Sequence, residues 1–173
     1  MPDASSRSRP PRPAQAALAR ELARVERLHS ARRADPGLAA ALERVAAWQA
    51  HRLSRTYADL EAQPRYVDAI AFFETDLYGS ADFAQRDADL ARVVPVMMRM
   101  LPESVIATVA QAVELNALSR ELDRALLAEL PCADGAFTAA EYCGAYRRMG
   151  DRRARERQIA LIGEIGAGLD GYV

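Results

Sequence analysis

Lysine is absent from this sequence: all 23 basic residues are arginine. Together with the heavy use of alanine, that bias points to a GC-rich genome more than to a function. Cysteine is scarce too. Cys132 and Cys143 follow no secretory signal, so they read as two unlinked thiols in a reduced, cytoplasmic protein. Residues 1–13, MPDASSRSRPPRP, carry basic side chains without an apolar run, which argues against a secretory signal or membrane anchor. No apolar stretch elsewhere approaches the length of a membrane span. Basic and acidic residues nearly balance, and a net charge of −1 gives no global pull toward nucleic acid or an anionic membrane.

The motifs that announce common chemistries are missing as well. There is no Gly-rich phosphate loop, no GxSxG elbow and no Cys-x-x-Cys pair. Glu26 and His29 have the Glu-x-x-His spacing of di-iron bundles, but such a site needs a second pair and two further glutamates. The only other histidine, His51, has Trp48 three residues before it, so no metal site is expected. Metal-dependent phosphohydrolases, which need several His and Asp ligands, fare no better. His29 alone lies on an apolar helix face. It is a lesser candidate for a haem ligand, and a partly buried structural histidine is the preferred reading. The expectation is a protein without cofactor.

What is present is helical periodicity. Half the residues are hydrophobic, enough for a core, although only 6% are aromatic. After the arm at 1–13, expected to be disordered and solvated, Ala14 to Ala34 places Leu18, Leu22, Val25 and His29 on one side. Asp35-Pro36-Gly37 breaks that helix. A second follows from Leu38 to Ala62, with a stripe of Leu38, Leu42, Val45, Leu53, Thr56 and Leu60, Gln49 on the stripe and Trp48 on its flank. Pro102 and Glu103 open a long helix to Leu130. Its apolar face runs through Val105, Val109 and Ala112, then rotates to Leu115, Leu118, Leu122 and Leu126, as in a helix that crosses between two sets of neighbours. Thr138 and Glu141 form a capping box, with Phe137 stapled on Tyr142. Asp151 caps a last helix whose expected buried stripe is Ile159, Ile162, Ile165 and Leu169, with Gly163 and Gly166 admitting a close neighbour. Cys143 reads as a small core residue. No period-2 strand, hairpin signal or internal repeat appears.

The chain is expected to be organised around Arg65 to Leu101, which holds three of the four phenylalanines. Tyr66, Ala69, Ile70, Phe73 and Leu77 form one apolar stripe, and Gly79 stops that helix. The next carries Phe83, Asp87, Leu90, Val94, Met97 and Leu101 on one face, with a kink or break at Pro95. Phe72-Phe73-Glu74-Thr75-Asp76-Leu77-Tyr78-Gly79, followed by Arg86-Asp87-Ala88-Asp89, resembles the signature of the bacterial FFLEELY-motif proteins. Glu74-Thr75-Asp76 stands where the family name has Leu-Glu-Glu. The likeness extends from about Trp48 to the C-terminus, through Glu114-Leu115-Asn116 and Gln158 to Gly166. The resemblance implies kinship and carries no catalytic residue with it.

Asp87 is the sharpest oddity, because an ionised carboxylate on an apolar face needs a partner or a raised pKa. The preferred reading is a structural ion pair, with Arg65, Arg120 or Arg124 as the available cations. Asn116 reads likewise as a core residue that confers specificity. The run Arg147, Arg148, Arg152, Arg153, Arg155 and Arg157 is the one hint of nucleic acid. No aromatic residue interleaves its last part, and a salt-bridged, solvated face is favoured.

These observations predict a single all-α domain of about seven helices over 14–173, behind the arm. The favoured function is a non-enzymatic protein-interaction or scaffold module, with a homodimer or another protein as partner. The alternative is a small-ligand pocket, haem included, lined by Phe72, Phe73, Glu74, Asp76, Tyr78, Asp87 and Asn116.

Overall fold

The computed structural model describes residues 12–61, 63–64, 93–94, 100–131 and 137–170, and the regular structure among them is helical throughout. Helix α1 spans Pro13–Ala34, α2 Pro36–Thr56, α4 Glu103–Glu129, α5 Ala139–Arg148 and α6 Arg152–Asp170; α3 is a single turn, Ala58–Glu61. Five substantial helices and one turn therefore stand among the described residues, against an expectation of about seven for the whole chain. Pro95 and most of the Arg65–Leu101 stretch lie outside them.

Local chemistry sets the helix ends. Pro13 takes the first position of α1, where its missing N–H costs nothing, and the Arg12 N–H donates to Gln15 Oε1 at 3.2 Å. The orphan N–H of Ala14 donates to Glu103 Oε1 at 2.8 Å, which ties the start of α1 to the start of α4. Asp35 ends α1 and caps α2, its Oδ1 accepting from the Leu38 N–H at 2.9 Å with Pro36 in the first turn. The capping box at α5 forms as expected: Thr138 Oγ1 accepts from the Glu141 N–H, and Glu141 Oε2 accepts from the Thr138 N–H. Gly150, at φ 71°, supplies the left-handed step that separates α5 from α6. Asp151 Oδ1 then accepts from the Ala154 N–H.

Helix α4 is the hub. Its first half packs Ile106, Ala110, Val113 and Ala117 against Ala14, Leu18 and Val25 of α1, and Val94 joins the same cluster. Its second half splits between two neighbours. Leu126 and Leu130 meet Val45 of α2 and Tyr142 and Ala145 of α5, while Leu118 and Leu122 meet Leu161 of α6. The expected crossover between two sets of neighbours is therefore present. Its first half is one residue out of phase with the expectation: Ile106, Ala110 and Val113 are buried, Val105 and Val109 are half-buried and Ala112 is exposed. Val94 and Leu101, both on the stripe predicted for the preceding helix, do reach the core.

The last helix corrects the sequence reading most. Ile159 and Ile162 are 70% and 60% exposed, whereas Leu161 is fully buried and Ile165 half-buried. The face turned to α4 is set by polar contacts that hydrophobic periodicity does not register. Arg157 grips Glu114 with two hydrogen bonds at 2.8 Å, and Gln158 donates to Ser119 Oγ at 2.8 Å. The close approach occurs at Gly168, where a Cβ would stand 2.8 Å from Thr108 Oγ1; at Gly163 and Gly166 it would meet nothing within 4 Å. Two smaller corrections follow. Thr56 is exposed, its hydroxyl bonded back to the Arg52 carbonyl as Thr often does in a helix. Cys143 is exposed, on the side of α5 opposite to Tyr142 and Ala145.

Candidate functional site

Of the side chains proposed as a ligand pocket, Phe72, Phe73, Glu74, Asp76, Tyr78 and Asp87 lie outside the described residues. Asn116 is described. Its Oδ1 accepts from Arg120 Nε at 2.6 Å, one turn along the same helix, so Arg120 pairs there with an amide. His29 is buried, 5% exposed, on the inner stripe of α1. Glu26, three residues before it, faces outward, and Arg33 and Ser30 hold its carboxyl below the usual glutamate range. The two do not share a face. Among the described residues, no three His, Cys, Asp or Glu side chains converge on a metal-sized site.

Three constellations are built by the tertiary structure instead. The first joins α2, α4 and α5. Gln49 Nε2 donates to Asp123 Oδ1 at 3.0 Å and to the Tyr142 hydroxyl at 3.2 Å. Burial pushes the Asp123 carboxyl above the usual aspartate range, against the opposing pull of the Gln49 bond and of Arg120. Burial likewise raises the Tyr142 phenol. Trp48 stacks on Tyr142 with centroids 4.0 Å apart, Phe137 closes the Trp48 side at 5.6 Å, and the Arg52 guanidinium sits over both Trp48 and Tyr142. A carboxyl held toward its neutral form beside an amide and a phenol resembles a proton-handling site. Yet the ring faces are spent on one another and on Arg52. The cluster acts as a joint that fixes three helices in register.

The second constellation is ionic. Glu21 is 5% exposed on the inner face of α1 and accepts from Arg20 Nε at 2.9 Å and Arg24 Nη1 at 3.1 Å. Arg24 crosses to α4 and grips Glu121 in bidentate fashion, with Nε to Oε1 at 2.7 Å. Further along, Arg157 binds Glu114 of α4 and Glu164 of its own helix, and Gln111 donates to Glu164. Arg157 holds the Glu114 carboxyl below its usual range. Glu21 escaped the sequence reading because of its charge. Its position was legible, three residues after Leu18 and four before Val25, on the buried stripe.

These pairs also answer the arginine run. Arg148 binds Glu129, Arg152 binds Glu156, Arg157 binds Glu114, and Arg155 lies over the Tyr146 ring at 4.7 Å while donating to the Tyr146 carbonyl. Four of its cations are thus engaged within the protein.

The third constellation is apolar and faces solvent. Ile159, Ala160, Ile162, Gly163, Gly166 and Ala167 are all exposed and lie along one side of α6. It is the side left over once Leu161, Gln158 and Gly168 have turned to α4. Burying it would remove apolar surface that nothing in the described fold requires to be exposed.

Residues 28–173 match the family described as Domain of unknown function (DUF8198). The chain belongs to that family. The DUF8198 match takes in α2 to α6 and the end of α1, and leaves out Leu18, Glu21 and Val25, although these pack against or beside α4. No curated protein and no solved structure matches the chain. No helix among the described residues is long and apolar enough to cross a membrane.

Proposed function

We propose that the protein is a non-enzymatic helical module of the cytoplasm that works by protein contact, and that the contact is made on the outer face of α6. The observation that carries this reading is the exposure of Ile159 and Ile162 beside Ala160, Gly163, Gly166 and Ala167. Apolar side chains in a continuous stripe tend to be covered by a partner, whereas isolated ones need no explanation. The polar clusters support the same reading from the other side, because each is consumed by bonds between helices. The expected homodimer, and the kinship with FFLEELY-motif proteins, belong to this proposal.

The double variant Ile159→Asp/Ile162→Asp tests it. In dilute solution its unfolding free energy should stay within about 0.5 kcal/mol of wild type, as for substitutions that touch no neighbour. Native mass spectrometry of protein purified from its own host should show a protein complex that the double variant loses. A strongly destabilised variant, or a lone chain carrying a small molecule, would overturn the proposal.

A further inference from the structure

We draw no further inference here: the strongest candidate, the exposed apolar side of α6 along Ile159, Ile162, Gly163, Gly166 and Ala167, belongs to the surface already described, and nothing in the structure shows what covers it.

Discussion

Carboxylates on the two sides of α4 meet opposite fates. Toward α1 and α6, Glu121 and Glu114 are each gripped by a guanidinium, Arg24 and Arg157. Toward α2 and α5, Asp123 meets the amide of Gln49. Arg157 stabilises the ionised form of Glu114 and lowers its pKa, whereas the Gln49 amide offsets only part of the desolvation of Asp123. One helix thus carries a glutamate held ionised and an aspartate drawn toward neutrality. The partner's charge decides which.

The strongest way to break the ionic side is Arg24→Met. It leaves Glu21, whose side chain is only 7% exposed, with the mostly exposed Arg20, and strips Glu121 of its bidentate partner. Urea denaturation should show a loss of about 3 kcal/mol, since removing one member of a buried pair strands the other. Adding Glu21→Leu should recover part of that loss. On the neutral side, Gln49→Leu removes the donor that bonds both Asp123 and Tyr142, and should cost about 1–2 kcal/mol in the same measurement.

A smaller and sharper effect lies in the pH dependence of stability. Asp123 has a folded pKa above its unfolded value, so its contribution is present below the unfolded pKa and lost as pH rises through the folded one. Glu114 has a depressed folded pKa. Its contribution is present above the unfolded value and lost as pH falls through the folded one. Asp123→Asn should therefore flatten a decline in stability just above the usual aspartate range. Glu114→Gln should flatten a rise below the usual glutamate range. Denaturant melts taken across acid pH would show the two slopes, and slopes of the same sign would refute the contrast. The least effect is expected for Arg12→Ala. The Arg12–Glu103 pair is 3.5 Å apart, with half of the Arg12 side chain exposed and Glu103 half-buried. Its loss should stay within about 0.5 kcal/mol. A truncation that extends through Pro13 takes the first helical residue of α1 and its capping bond with it.

How much of this was legible varies from residue to residue. Glu21 sat in plain view on the stripe of α1, and only its charge hid it. Asn116 was recognised as a polar residue of the long helix, and its observed partner, Arg120, is one turn away. Gln49 was placed on the stripe of α2, but nothing near it announced Asp123, 74 residues further along. The arginine run was read as a salt-bridged face, and Arg148, Arg152 and Arg157 make such pairs. The pocket residues Phe72, Phe73, Glu74, Asp76, Tyr78 and Asp87 fall outside the described residues.

The sequence by itself determined the all-helical class of the described structure and most helix ends, although α2 stops at Thr56, short of the expected Ala62. Those features depend on interactions within three or four residues: Asp35 on Leu38, Thr138 with Glu141, Asp151 on Ala154, and glycine at a positive φ. Tertiary structure decided which side of α6 is buried. Periodicity says that apolar faces exist, and α6 has two. The choice between them was made by Glu114, Ser119 and Thr108, all on α4 and 39 or more residues away, through a guanidinium grip, an amide bond and a glycine-sized gap. Hydrophobicity weighs a side chain by its own transfer from water. It carries no information about a polar partner elsewhere in the chain, and so Ile159 and Ile162 ended on the outside.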